Sequence, residues 1–221
     1  MKNHLKRIAA PKTWLINRKK NVFAVRPNPG AHSFSLGLPL GMVIRDNLQL
    51  AGSMSEVKRL LNNNEVLIDG QRKKDHRLVV GLFDVISISS LNKFYQVVLD
   101  LKGRLALQEI SEEQSASKVC KIVGKTMLKK GLTQLGLHDG KTLLAGSAEK
   151  SASVGDSIKM ELPSLKVVAF LPLKSGAKVL LTAGKHSGAS CVVEQIALDQ
   201  AVCQTGSLKI ETAKNYLFVV G

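Results

Sequence analysis

Aromatic residues are scarce in this sequence, which holds six Phe, two Tyr and one Trp among 221 residues, or 4%. Proteins that bind single-stranded nucleic acid without sequence preference stack successive bases on aromatic side chains. So few rings do not make a broad platform of that type. If the chain binds RNA, we expect contacts mainly to the phosphates and sugars of folded RNA, made by Lys, Arg and backbone amides.

Long apolar runs and a cysteine framework are also missing. No run of about eighteen apolar residues occurs, so no segment is a candidate to span a bilayer. The N-terminus, MKNHLKRIAAPKTW, lacks the unbroken apolar core of a secretory signal. The three cysteines, Cys120, Cys191 and Cys203, are odd in number and widely spaced, which predicts reduced and mostly buried thiols in a cytosolic protein.

Signatures of nucleotide binding, metal binding and catalysis are incomplete. Two Gly-Lys-Thr tripeptides, at residues 124–126 and 140–142, resemble the ends of phosphate loops, but Val119 and Leu135 occupy the positions where such a loop needs its first glycine. The five histidines lack the spacing of zinc ligands, and no nucleophile elbow is present. We expect no catalytic residue, no metal and no cofactor; a triad or zinc site assembled from distant residues stays open.

Positive charge dominates the composition. Thirty-two Lys and Arg stand against 17 Asp and Glu, which gives a net charge of +15 and a pI near 9.9. A small protein with such a surplus repels itself unless a polyanion neutralises it. Nucleic acid is the commonest such partner, and an anionic membrane surface is the second. The hydrophobic share of 44% indicates a folded chain.

Acidic residues are absent before Asp46. Pro11, Pro27, Pro29 and Gly30 disfavour regular helix or strand through much of residues 1–37. We predict an extended basic arm that becomes ordered on a partner surface, with a plain disordered tail as the alternative. The cations before Asp46 are Lys2, Lys6, Arg7, Lys12, Arg18, Lys19, Lys20, Arg26 and Arg45.

The single tryptophan, Trp14, lies within this arm. A tryptophan is usually part of a core, but only Leu15 and Ile16 accompany this one. Two interpretations are therefore kept: a buried ring, or a ring that stacks on RNA or wedges into it. The second makes Trp14 a candidate RNA-binding residue.

Residues 38–90 carry the signals of a small α/β unit. Pro39 suits the first turn of a helix, and Ser53-Met54-Ser55-Glu56 is a capping box that predicts the start of a second helix. Lys58 and Arg59 lie on the polar face of that second helix. Asp69-Gly70, directly after a short apolar run, is a strong hairpin signal. We predict two helices and a small antiparallel sheet.

Beyond residue 90 the pattern is mostly short strands and turns, typical of small barrels or sandwiches. A polar stretch at residues 111–118 interrupts the strands and has the length of a helical turn. In residues 171–221 five strands are predicted at 178–182, 190–196, 201–203, 208–211 and 216–220. The chain is thus predicted to be multidomain α+β, with an arm at 1–37 and domains at 38–90, 91–170 and 171–221.

Several motifs together resemble the archaeal and eukaryotic (e-type) small-subunit ribosomal protein "S-four" family. The resemblance is collinear over essentially the whole chain. The motifs are His4-Leu5-Lys6-Arg7-Ile8-Ala9-Ala10-Pro11-Lys12-x-Trp14, Arg26-Pro27-Asn28-Pro29-Gly30-x-His32, Leu38-Pro39-Leu40, Val66-Leu67-Ile68-Asp69-Gly70, Gly81-Leu82-Phe83-Asp84-Val85-Ile86-Ser87-Ile88 and Gly103-Arg104-Leu105.

The resemblance implies an S-four-type RNA-binding domain, a central β domain and a C-terminal SH3-like β-barrel with a KOW motif. It also implies that the second helix and the following hairpin face RNA. Gly176, Val179, Gly184 and Gly188 follow the KOW motif. Cys191 stands where a glycine is usual, and Ala177 replaces the frequent acid.

The candidate RNA-binding residues combine the arm, the implied helix–hairpin face and the KOW loop. No small-molecule site or membrane contact is expected. These candidates are Lys2, His4, Lys6, Arg7, Lys12, Trp14, Arg18, Lys19, Lys20, Arg26, His32, Arg45, Lys58, Arg59, Arg72, Lys73, Lys74, Lys178 and Lys185.

The leading hypothesis is a structural constituent of the small ribosomal subunit. It would bind and stabilise folded small-subunit rRNA beside neighbouring ribosomal proteins in the cytoplasm, without catalysis. Two rivals stay open. S-four-type domains are also fused to pseudouridine synthases and tyrosyl-tRNA synthetase, so an RNA-modifying enzyme is one rival. A transcription factor whose KOW barrel binds polymerase is the other.

Overall fold

The computed structural model describes residues 4–63, 66–146, 151–206 and 208–221, so candidate Lys2 lies outside the described residues. Strands outnumber helices, and the fold is α+β. The chain forms two compact units: residues 1–98 with 104–116 make the first, and residues 99–103 with 117–221 make the second. No helix among the described residues is long and apolar enough to cross a membrane.

The arm is folded onto the first unit. Strand β1 (Leu5–Lys6) pairs with β2 (Phe23–Ala24) in an antiparallel ribbon. Further along, Trp14 forms a parallel bridge with Leu105, and both side chains are buried. The prediction of an extended arm that needs a partner surface to become ordered was therefore wrong. Contacts with residues much later in the chain supply the core that the arm itself lacks.

The two predicted helical segments are present, and the first follows a short strand that was not predicted. Strand β3 (Gly37–Pro39) leads into α1 (Leu40–Met42), which continues as a π-helical turn (Val43–Asn47). Helix α2 (Met54–Asn63) begins at the predicted capping box, where the Glu56 amide donates to Ser53 Oγ at 3.3 Å. Val57 and Leu61 are buried, so this face of α2 packs on the core and the opposite face is in solvent.

A five-stranded antiparallel sheet completes the first unit, in the order β5-β4-β7-β8-β9. The predicted turn joins β4 to β5, and Asp69 and Gly70 both have positive φ (51° and 76°), as a two-residue hairpin of this type requires. The strands are β4 (Val66–Ile68), β5 (Gln71–Arg72), β7 (Val85–Ile88), β8 (Lys93–Leu99) and β9 (Leu105–Ile110); β6 (Val79–Gly81) pairs with β3 instead.

The predicted boundary at residue 90 lies inside this sheet and is corrected here. Strand β8 pairs antiparallel with β7 across that position, and β9 follows on the outer side of β8. The sheet thus extends to Ile110. The short helix α3 (Glu112–Ser115) then fills the predicted polar stretch, with Ser111 and Gln114 forming its capping box.

The second unit holds two five-stranded sheets. In the first, β10 (Ser117–Met127) is central, and the order is β12-β11-β10-β13-β14. The other strands are β11 (Thr133–Leu137), β12 (Thr142–Leu144), β13 (Ser157–Glu161) and β14 (Val167–Leu171). Their core contains Cys120, Ile122, Leu135, Leu137, Ile158 and Met160.

The last fifty residues contain all five predicted strands. They are ordered β18-β17-β16-β15-β19, so the final strand returns to pair with the first. Cys191 and Cys203 lie in their core as free thiols, and burial raises the pKa of Cys203 to about 12. The strands are β15 (Lys178–Leu181), β16 (Ser190–Ile196), β17 (Gln200–Thr205), β18 (Leu208–Ala213) and β19 (Leu217–Val219).

Candidate RNA interface

Helix α2 presents two cations to solvent. Lys58 and Arg59 are exposed, on the side opposite the buried Val57 and Leu61. The helix is fixed at its start by Glu56, whose Oε2 accepts the Gly52 amide at 2.8 Å and the Ser53 amide at 3.4 Å. These amide contacts and the Ser53 hydroxyl lower the pKa of Glu56. The cap therefore holds the cationic face in one orientation.

The β4–β5 hairpin is tied to the end of α2. Arg72 Nη2 donates to the carbonyl of Asn62, in the last turn of the helix, at 3.1 Å. A cation at this end also interacts favourably with the helix dipole. Lys73 Nζ donates to Gln71 Oε1 at 3.0 Å, while Arg72 and Lys74 remain exposed. The helix face and the hairpin thus form one cationic surface, joined by the hydrogen bond of Arg72.

Residues 75–77 extend this surface to the arm, and sequence analysis did not select them. Arg77 Nε donates to the carbonyl of Arg26 at 3.0 Å, and Asn28 Nδ2 donates to Asp75 Oδ2 at 2.9 Å. Burial and the positive charge of Lys58 lower the pKa of His76, so Lys58 lies close to this segment. The only sequence signal for Arg77 was its place shortly after the basic run that ends at Lys74.

The arm contributes further exposed candidates. Lys6 lies on β1, and the others lie in the irregular segments around the ribbon. All six have polar or charged groups accessible to a polyanion. These exposed arm candidates are His4, Lys6, Lys12, Lys19, Lys20 and Arg26.

Two of the arm arginines are hydrogen-bonded within the chain, and the buried one, Arg7, is not accessible to RNA. Arg7 is only 2% exposed, and its guanidinium donates to the carbonyls of Phe23 and Asn17 and to Asp46 Oδ2 at 3.3, 2.8 and 3.0 Å. Arg18 donates to four carbonyls of residues 7–11, at 2.7 to 3.3 Å. Both arginines bind the chain's own backbone because they lie where the arm turns back on itself.

Trp14 is buried too, so it is not accessible to RNA. Its side chain is 2% exposed and its ring lies 5.4 Å from that of Phe34, at an interplanar angle of 57°. No face of the indole is open for a base. The alternative of a core tryptophan is the correct one.

His32 and Arg45 also face inward. His32 Nε2 lies 2.8 Å from Asp84 Oδ2, and both side chains are buried. Arg45 makes two hydrogen bonds to the Asp46 carboxylate, at 2.7 and 3.1 Å. Burial opposes ionisation of Asp46, but Arg45 and Arg7 outweigh that effect and lower its pKa. These side chains stabilise the fold instead of extending the exposed surface.

In the second unit, Lys178 and Lys185 are both exposed. The glycines of the KOW resemblance have positive φ at Gly176, Gly184 and Gly188 (87°, 92° and 88°). A Cβ at Gly188 would overlap the backbone of Asp100, so a glycine is required there on two grounds.

A buried charge cluster in the second unit has atoms suited to metal binding. Ligand atoms of Cys120, His138 and Asp139 lie within 4.8 Å of one another. However, Asp139 Oδ2 is already 3.1 Å from both Lys118 Nζ and Lys141 Nζ. Burial disfavours the Asp139 carboxylate, but the two ammonium groups outweigh it and lower its pKa to about 2. Because those ammonium groups would repel a cation, the geometry favours an internal ion pair over a metal site.

Comparisons with known proteins agree with the resemblance. A family model described as "Ribosomal family S4e" matches residues 91–167, and one described as "RS4NT (NUC023) domain" matches residues 1–35. Small ribosomal subunit protein eS4 of Methanocella arvoryzae is 41% identical over 99% of this chain and 94% of that protein. The protein of the same name from Methanosphaera stadtmanae is 39% identical over 100% of this chain and 92% of that protein.

A solved structure is also similar. The crystal structure of the 30S ribosomal protein S4e from Thermoplasma acidophilum has a TM-score of 0.72 and 29% sequence identity, and the match covers 84% of this chain and 94% of that chain. Identity of this extent along nearly the whole length confirms the family prediction. The chain belongs to the ribosomal family S4e.

Proposed function

We propose that this chain is a structural constituent of the small ribosomal subunit, where it binds folded rRNA and holds it in its assembled form. Its relatives are small-subunit proteins, and the family is one of ribosomal proteins and not of enzymes. The observation that carries the proposal is the cationic surface formed by α2 and the β4–β5 hairpin. Lys58, Arg59, Arg72 and Lys74 are exposed there on hydrogen-bonded backbone.

The contact mode is electrostatic neutralisation combined with recognition of RNA shape. Exposed lysines and arginines neutralise phosphates and release counterions, while a fixed backbone sets the spacing of those cations. Because Trp14 is buried, stacking of bases on a row of aromatic side chains contributes little to binding. This agrees with the recognition of A-form RNA mainly through its backbone and 2′-hydroxyls. The exposed arm lysines extend the same surface.

Several finer features belong to this proposal. The C-terminal sheet would act as the SH3-like KOW module, since its strand order brings β19 back to β15 and its motif glycines have positive φ. Location in cytoplasmic ribosomes, contact with neighbouring ribosomal proteins and the lack of catalysis are proposed on the same basis. Lys178 and Lys185 would then reach phosphates from the KOW loop.

Sedimentation and a salt titration test the function. We expect the protein to co-sediment with small subunits in a low-salt lysate, and its affinity for purified small-subunit rRNA to fall steeply with salt. A protein that sediments free of small subunits, or an affinity that barely changes with salt, would contradict the proposal. Co-purification with RNA polymerase instead, or modified nucleosides after incubation with RNA, would favour the rival functions.

A further inference from the structure

The outer face of the β1–β2 ribbon carries an exposed aromatic pair. In the ribbon, Leu5 faces Ala24 and Lys6 faces Phe23. Ala24 is buried and Leu5 is partly buried, so this pair points inward and the other pair points outward. Phe23 is 53% exposed. Its ring centroid lies 5.6 Å from that of His4, with the planes tilted by 46°.

The backbone beneath this ring is held in place. The carbonyl of Phe23 accepts a hydrogen bond from Arg7 Nε at 3.3 Å, and the carbonyl of Val22 accepts the Arg7 amide at 2.9 Å. Arg7 is itself paired with Asp46 at 3.0 Å. A ring on a backbone anchored in this way loses little conformational freedom when a ligand binds, and such preorganisation favours binding.

The surroundings of the ring are cationic. Lys6 lies directly across the ribbon from Phe23, and Lys19 and Lys20 are exposed shortly before it in the chain. No acidic residue precedes Asp46, whose carboxylate is engaged by Arg7 and Arg45. An exposed ring beside a lysine, within a stretch that has no acidic residue, fits an RNA base and its phosphate. A purely apolar protein surface would leave the lysine without a partner, and an acidic one would leave the ring without a partner.

We propose that Phe23 and His4 form a stacking site for one unpaired base of RNA, with Lys6 placed to contact an adjacent phosphate. This site rests on the proposed function and adds one unpaired nucleotide to the contacts with folded rRNA. The rings of Phe and His both stack on splayed bases in RNA-binding proteins. The role considered for Trp14 is thereby assigned to an aromatic residue that the fold leaves open.

The test uses the full chain with two RNA probes. The first is a single-stranded oligoadenylate of about twelve nucleotides carrying one 2-aminopurine, and the second is a blunt RNA duplex of the same length. Phe23→Leu keeps an apolar side chain without a planar ring, and Phe23→Tyr keeps the ring. Ile8→Ala is the matched control, since Ile8 is an exposed apolar residue next to the ribbon.

We expect Phe23→Leu to weaken oligoadenylate binding by about 5- to 150-fold, as stacking contributes about 1–3 kcal/mol per base. It should abolish the quenching of 2-aminopurine and leave duplex binding and the salt slope unchanged. Phe23→Tyr and Ile8→Ala should bind like the wild type. Lys6→Gln should instead lower the salt slope by about one.

Three results would overturn the stacking site: no oligoadenylate binding or quenching by the wild type, wild-type affinity for Phe23→Leu, or an equal loss for Ile8→Ala. The last would indicate an apolar docking surface for a protein. If the wild type still binds small-subunit rRNA with steep salt dependence, only the stacking site fails. If it does not, the proposed function fails as well.

Discussion

The arm and helix α2 are both rich in cations, but the fold uses those cations differently. In the arm, Arg7 and Arg18 donate to backbone carbonyls of the chain itself. On α2, Lys58 and Arg59 point into solvent from a capped helix. A cation that is hydrogen-bonded inside the protein contributes to stability, whereas an exposed one contributes to binding a polyanion. Positive charge in the sequence therefore does not by itself identify an RNA contact.

The second unit contains the extreme case of an internal cation. Lys118 is buried, and its Nζ lies 3.1 Å from the buried Asp139. Burial also lowers the pKa of Lys121 to about 8, and its Nζ donates to the carbonyl of Asn215 at 2.7 Å. Variants of internal cations should change the free energy of unfolding, and variants of exposed cations should change RNA affinity.

Asp139→Asn should lower the free energy of unfolding by about 3–5 kcal/mol, because it leaves the Lys118 ammonium buried without its counter-charge. Urea titration measures the change. Asp199→Asn, at an exposed carboxylate, is the control and should stay within about 0.5 kcal/mol of the wild type. Equal stability of the two variants would show that Lys118 is not held as an internal ion pair.

Arg7→Met should lower the free energy of unfolding by about 3 kcal/mol, because the carbonyls of Phe23 and Asn17 and the Asp46 carboxylate lose a buried donor. Lys6→Ala, one residue earlier and exposed, is the matched control and should leave stability nearly unchanged. The salt slope of RNA binding should instead fall for Lys6→Ala and stay unchanged for Arg7→Met. A stable Arg7→Met protein with a reduced salt slope would remove the distinction between the two kinds of cation.

Acid should weaken the Asp139 ion pair over a defined pH range. The pKa of Asp139 is lowered to about 2 in the folded protein, so the carboxylate stabilises the fold fully above about pH 4. That stability, on the order of 2 kcal/mol, is lost as pH falls from about 4 toward 2. The difference in unfolding free energy between the wild type and Asp139→Asn should shrink over this range. A pH-independent difference would contradict the assignment.

Replacing both Lys58 and Arg59 with Gln should reduce the salt slope of small-subunit rRNA binding by about two. Affinity should fall about tenfold at physiological salt, with little change in stability. The control replaces Lys159 and Lys166, two exposed lysines of the second unit, and removes the same charge. If both double variants bind equally weakly, net charge alone, and not the α2 surface, determines the affinity.

Local signals predicted the parts of the fold that depend on neighbouring residues. The capping box at Ser53 and the Asp69-Gly70 turn appear where predicted, because both devices are complete within a few residues. The five C-terminal strands were likewise found from their turns and apolar residues. The exposure of Lys58 and Arg59 followed from the spacing of Val57 and Leu61 along a helix.

The arm could not be predicted in this way, because its partners lie far along the chain. Trp14 forms a bridge with Leu105, and Arg7 forms an ion pair with Asp46. The pairing of β8 with β7 across the predicted boundary at residue 90 is another tertiary contact that local sequence patterns do not predict. The exposure of Phe23 could not be predicted for the same reason, because it depends on which face of the ribbon packs inward.

Mapping of protein–RNA cross-links in assembled small subunits tests the placement of the cationic surface most directly. Peptides with Lys58, Arg59, Arg72 and Lys74 and the exposed arm lysines should cross-link to rRNA, while peptides around Lys118 should not, since its side chain is buried. Cross-links confined to the second unit, or absent from α2 and the hairpin, would contradict the account.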